Sequence, residues 1–395
     1  MADDSGAADE SGANPNPFAN LPMFGDLAKA LAGQGPLNWD AARQFAALSS
    51  TSGAAEPNVD PTVRIALENL ARIVEMHVRD ITGFEAAFPE VTPVTRGVWA
   101  HRTLEAYRPL FTEMATSLGR RPAPDEDGGS DPVVAMMANL TQMMQPAMMG
   151  MAVGSMVGRM ATRTFGQYDL PIPRGDNALL VVPASIDQFA EEWSLPADEM
   201  RLWVLAQEMI GHALFSVPTL REQYTALVRR YVGGFRPDPA AIAEHLSGLE
   251  SSESSDPMQA MQQLLSDPGL LLGAVRSPEQ EDLAPRLDAA VSAVVSTVDY
   301  LVDSVAARVI GGDALRIAEA VRRRRLETSP DDLFVERLLG LRLDQDQVQR
   351  GKTFTAGAAD RIGEGHLIDT FGAADPLPTP AELDAPGLWL ARLAL

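Results

Sequence analysis

The sequence predicts a mainly α protein with at most one or two short strands. Apolar residues recur at helical spacing along most of the chain, as in Val63, Leu67, Leu70, Ile73, Val74 and Val78. Helix punctuation flanks such runs: Asp60-Pro61 supplies a cap and a first-turn proline, and Gly119 closes a run that starts at Arg96. Only Ala178-Leu-Leu-Val-Val-Pro183, a short apolar run bounded by turn residues, reads as a strand. No fixed-period repeat is present.

In chain order, residues 1–34 read as a disordered acidic tail, because their Ala, Asp, Gly, Asn and Pro show no periodicity. Residues 35–395 read as a single helical domain. Helices are expected over 40–48, 62–80 and 96–118, followed by a flexible loop at 121–131 dominated by Pro, Asp and Gly. The segment from Met136 to Met160 holds nine of the 17 methionines and carries Gly150, Gly154 and Gly158 on one helix face. Small residues at four-residue spacing let a neighbouring backbone come close. The expectation is a helical hairpin buried in the core; a membrane-inserting or peptide-binding surface, or a helix pair between two chains, is the competing use. Gly166 to Pro173 breaks the helices, the strand follows, and helices are expected over 185–193, 198–215 and 219–232. A flexible Ser/Glu linker at 250–256 precedes helices over 257–265, 283–310 and 312–327, with shorter pieces from 331 and 345.

Composition narrows the function. With 32 Lys+Arg against 54 Asp+Glu the net charge is −22, which repels nucleic acid and anionic membrane surfaces. The dense basic run Arg322 to Arg325 is read as a helix C-terminal end, where cations meet the favourable end of the helix dipole. The absence of cysteine excludes disulfides, thiolate metal sites and cysteine nucleophiles. The acidic start of the chain is unlike a signal peptide, and the apolar run from Ala147 to Gly158 is far short of the about 20 residues a span needs. A cytoplasmic protein with no membrane span is expected.

One stretch, Met200 to Phe215, bears on chemistry. A zinc peptidase helix carries His-Glu-x-x-His, because two histidines four apart share a metal while the glutamate reaches the metal-bound water. The window here is Gln207-Glu208-Met209-Ile210-Gly211, which keeps only the glutamate. A second register pairs Glu208 with His212, four residues on and on the same face. That pair is either two ligands of a metal or an ordinary hydrogen-bonded pair. His77, His101, His245 and His366 show no ligand spacing.

The surroundings of this helix resemble the zincin-like metallopeptidases, type 2. This mostly actinobacterial family carries labels such as zinc-dependent metalloprotease, hydrolase or coenzyme F420 biosynthesis-associated protein. The resemblance lies in Gly35 to Asp40, Gly166-Gln-Tyr-Asp-Leu-Pro-Ile-Pro-Arg174, Leu195 to Trp203, Arg322 to Arg325 with Leu338-Leu-Gly-Leu341, and Leu377 to Leu383. It implies a zincin-like helical fold, zinc ligands at 207, 211 and near 295, and a catalytic glutamate at 208. This chain has Gln207, Gly211 and Val295 at the ligand positions. The expectation is a homologue that has lost zinc binding and peptidase activity, with Glu208 a vestigial general base, no cofactor, and a non-catalytic binding or regulatory role toward a peptide or protein partner. The alternative is a zinc-dependent hydrolase with a site rebuilt from Glu208, His212 and Asp299 or Asp303.

Overall fold

The computed structural model describes residues 35–119, 132–175, 178–237, 274–275, 277–326, 338–341 and 343–394. The expected tail, the loop at 121–131, the linker at 250–256, the helix at 257–265 and the start of the piece from 331 lie outside these residues.

Helix α1 (Trp39–Thr51) begins where the Asn38 side chain accepts a hydrogen bond from the Ala41 N–H at 2.9 Å. Helix α2 (Pro61–Thr82) starts on Asp60 and stops at Gly83, whose φ of 69° places it in the left-handed region. The expected single helix over 96–118 is two, α3 (Arg96–Ala106) and α4 (Arg108–Leu118), separated at Tyr107. Pro109 explains the break, since it lacks the N–H that would continue the ladder and restricts the residue before it.

The Met-rich segment is one helix, α5 (Pro132–Ala161), and not a hairpin; Pro146 lies inside it. Its glycine stripe is used within the chain. A Cβ on Gly150, Gly154 or Gly158 would fall 2.2, 2.2 and 2.6 Å from the carbonyl oxygens of Asn38, Ala42 and Ala46. The contacts advance in four-residue steps along both helices, so α1 and α5 run parallel with their backbones nearly touching. The stripe is therefore covered by α1, which removes the reason to invoke a membrane, a peptide or a second chain there.

The expected strand is present as β2 (Leu179–Val181). It pairs in parallel with β1 (Val91–Pro93), which periodicity did not reveal because three residues are too few to show alternation. A second short ladder joins β3 (Arg236–Pro237) to β4 (Ala274–Val275) in antiparallel fashion. The remaining helices are α6 (Pro183–Glu192), α7 (Ala197–Phe215), α8 (Pro218–Gly233), α9 (Pro278–Val309), α10 (Ala314–Leu326), α11 (Gln345–Ile362), α12 (Leu367–Thr370), α13 (Pro380–Asp384) and α14 (Pro386–Leu393). Side-chain boxes cap α9 (Ser277/Gln280), α11 (Asp344/Gln347) and α13 (Thr379/Glu382).

Helix α7 is the centre of the packing. It is buried without interruption from Trp203 to Gly211 and packs against α2, α6, α8, α9 and α10. A helix apolar all round belongs in a core, and this one carries Gln207 and Glu208 into it. Helix α9 is long and apolar enough to cross a membrane by length and composition, but 67% of its most apolar stretch is buried inside the molecule.

Candidate functional site

The segment after α5 is pinned to α7 by Glu208. Gly166 pairs with Val181 of β2, and the Val182 N–H donates to the Phe165 carbonyl at 2.7 Å. These bonds carry residues 165–169 across the face of α7. There the fully buried Glu208 carboxylate accepts the backbone N–H of Gln167 at 2.8 Å and of Tyr168 at 3.0 Å. Gly166 is required by this approach, because a Cβ there would lie 2.4 Å from the Glu208 carboxyl carbon. Burial pushes the Glu208 carboxyl well above the usual carboxylate range, the negative Asp169 adds to the rise, and the two backbone donors oppose it.

The neighbouring Gln207 takes a different partner. Its Nε2 donates to Asp169 Oδ1 at 3.1 Å. Asp169 Oδ2 accepts from the Thr164 hydroxyl at 2.9 Å and from the Phe165 N–H. Tyr168 fills the space beside Gly211: a Cβ at 211 would meet the Tyr168 ring at 2.8 Å. The Tyr168 hydroxyl reaches His212 Nδ1 at 3.3 Å, and the imidazole lies against Phe84, Phe88 and Tyr168 with ring centres 5.9 to 6.5 Å away. Burial lowers the pKa of His212 and raises that of Tyr168. The expected Glu208–His212 hydrogen bond is replaced by these two separate sets of partners.

The three positions that the resemblance assigns to metal ligands converge. Gln207, Gly211 and Val295 all line one cavity of about 90 Å³, together with Tyr168, Asp169, Val294, Val298, Asp299, Arg325 and Leu341. Zinc in a catalytic site takes three His, Cys or carboxylate ligands. An amide, a bare Cα and an isopropyl group do not make that set, so these residues do not fit zinc. The two carboxylates on the wall are already engaged, Asp169 as described and Asp299 by Arg325 Nη1 at 3.0 Å. Asp303 pairs with Arg322 Nη2 at 2.7 Å. Thus Glu208, His212, Asp299 and Asp303 each have partners of their own, and among the described residues no three His, Asp or Glu stand where one cation could join them.

Sequence reasoning quoted Tyr168 and Asp169 as part of a helix-breaking stretch and of a stretch that carries the family resemblance, and did not give them a role in the site. The available signal was Gly166 beside them, since a glycine ahead of polar residues marks a close backbone approach. The basic run also gains detail. Arg322 and Arg325 bind carboxylates of α9, while the half-buried Arg324 lies 3.8 Å over the Phe165 ring and 5.3 Å over Phe189.

Helix α7, which carries Glu208 at the second position of the window, and the long helix α9 both line the cavity beside Gly211. The chain belongs to the zincin-like metallopeptidase family, whose sequence pattern it matches over residues 37–390. Among solved structures it is similar to a provisionally assigned hydrolase of novel fold from Chloroflexus aurantiacus. That likeness has 21% identity and a TM-score of 0.55, and covers 91% of this chain and 99% of the other. At that identity it supports the fold alone. No curated protein matches the chain.

Proposed function

We propose that this chain is a non-catalytic zincin: a family member that has lost zinc binding and peptidase activity and uses the former metal cleft to bind a peptide or protein partner. The observation that carries the reading is the meeting of Gln207, Gly211 and Val295 on one cavity wall. Positions from two helices far apart in sequence converge as a metal site requires, but carry side chains that cannot supply it. Glu208 supports the reading too. A general base must face the water it activates, whereas this carboxylate is turned to the backbone N–H groups of residues 167 and 168.

The test is metal content by elemental mass spectrometry on untagged protein expressed with zinc and purified without chelators. Zinc at background level is the expected result; near-stoichiometric zinc overturns the reading. A parallel assay of peptide hydrolysis should find no rate that Glu208→Gln lowers.

A further inference from the structure

Where α8 meets the break between α3 and α4, a second cavity of about 200 Å³ opens to solvent. Arg221, Thr225 and Arg229 follow one another at single-turn steps along one face of α8 and line it, and Arg174 lines it from the segment after Ile172. No carboxylate lines it among the described residues, although the chain as a whole carries −22. Three arginines around one recess reverse the local potential and draw an anion. The donors on α8 are within reach of a ligand. Arg221 is exposed, and its side chain has no hydrogen-bond or ion-pair partner among the described residues. Arg229 gives its Nε to Glu113 Oε2 at 2.7 Å, which leaves its Nη groups for another acceptor. Helical threonines such as Thr112, Thr116 and Thr353 return their hydroxyls to the carbonyl four residues back. The half-buried Thr225 makes no such bond, and its hydroxyl is not sealed from solvent. Arg174 is only 5% exposed and acts through its field: its guanidinium donates to Thr103 Oγ1 and to the Arg102 carbonyl, each at 3.2 Å, and its charge opposes the rise in the pKa of both Glu208 and Tyr168. Leu110, Ile172 and Val228 supply hydrocarbon to the same walls.

We infer that this cavity binds a small organic carboxylate with a ring-sized hydrocarbon body, its carboxylate held by the Arg221 guanidinium and the Thr225 hydroxyl. The two donors stand one helical turn apart, and a guanidinium offers the paired N–H groups that a carboxylate accepts. The volume exceeds the roughly 150 Å³ that accommodates benzene, so the hydrocarbon body fits against Leu110, Ile172 and Val228. A bare phosphate would leave those apolar walls without a partner. The inference goes beyond the reading of the metal cleft and does not depend on it.

The probes are phenylacetate and its uncharged twin phenylacetamide, titrated against the full-length protein at neutral pH by ligand-observed nuclear magnetic resonance. Phenylacetate is expected to bind about tenfold tighter, as charge-assisted hydrogen bonds in a partly open site imply, and the advantage should shrink in roughly 1 M sodium chloride. Arg221→Gln, a change on the exposed side of α8, should bring the two probes within about twofold of each other, and Thr225→Val, which keeps the shape and removes the hydroxyl, should weaken phenylacetate about threefold. Ala106→Phe fills the cavity from the α3 side and should weaken both probes with the arginines in place. Arg230→Gln removes the same charge from a position outside the cavity and should leave the preference as in the parent. Equal binding of the two probes by the parent, binding of neither, or an equal loss of preference from Arg230→Gln and Arg221→Gln overturns the inference. None of these outcomes bears on zinc content, so this site and the metal-free reading of the other cleft fail separately.

Discussion

Gly154 on α5 and Gly211 on α7 both sit where a Cβ would collide with a neighbour, yet the neighbours differ in kind. At Gly154 the neighbour is backbone, the Ala42 carbonyl of α1, and no side chain rotation can relieve the clash. At Gly211 it is the ring of Tyr168, and a cavity remains beside it. The first glycine is an architectural requirement of a helix pair. At the second, the space is filled by a side chain, Tyr168, that comes from a separate segment of the chain. A glycine on a buried helix therefore gains meaning from what fills its space.

Substitutions can break this comparison. Gly154→Leu should have the largest effect, because α1 and α5 must separate, and a loss of about 3 kcal/mol or more is expected in urea unfolding. A variant as stable as the parent would show that the parallel contact is not required. Gly211→His should cost less, about 1–3 kcal/mol, since Tyr168 can turn away. Restoring both histidines, as Gln207→His with Gly211→His, should still leave zinc at background in elemental analysis while Tyr168 occupies the second position. Adding Tyr168→Ala together with Val295→Glu, which supplies the third ligand, is the step expected to let metal in.

Two pH effects follow in decreasing size. The folded-state pKa of Glu208 is raised above its ordinary value near 4.5, so the fold favours the protonated carboxyl. Its stabilising contribution is present at low pH and is lost as pH rises from that value through the folded pKa. Glu208→Gln should therefore gain on the parent as unfolding is measured from pH 4 to pH 8; a constant difference would show that the carboxyl titrates normally. His212 has the opposite slope. Its pKa is lowered from 6.5 by burial, so the unfolded chain takes up the proton first and stability falls as pH drops below that value. Partial exposure keeps the effect smaller than that of Glu208, and His212→Asn should remove it from the pH profile of thermal unfolding.

Most helices were legible because capping and periodicity are local signals: Asp60-Pro61 and Gly119 lie at or next to ends of α2 and α4. The continuous α5 was not, because Pro146 and three glycines are breakers in isolation and only the backbone of α1 makes them compatible with one long helix. The positions that the resemblance assigns to ligands were legible. Gln207 and Gly211 depart from a known pattern five residues long, and Val295 followed from the same resemblance. The neighbours Tyr168 and Asp169 were not legible, because they reach α7 through strand pairing and carboxylate bonding across some forty residues of sequence.

The parallel contact between α1 and α5 also bears on how the chain reaches its final form. Asn38, Ala42 and Ala46 meet partners roughly a hundred residues away, and closing so long a loop carries a large entropic cost that local helix formation does not repay. Helix α1 has only three buried side chains, Ala42, Ala46 and Ser50, with which to hold itself in place. Its docking is thus expected late in folding and its release early in unfolding, so its amides should lose protection from hydrogen exchange before those of α7.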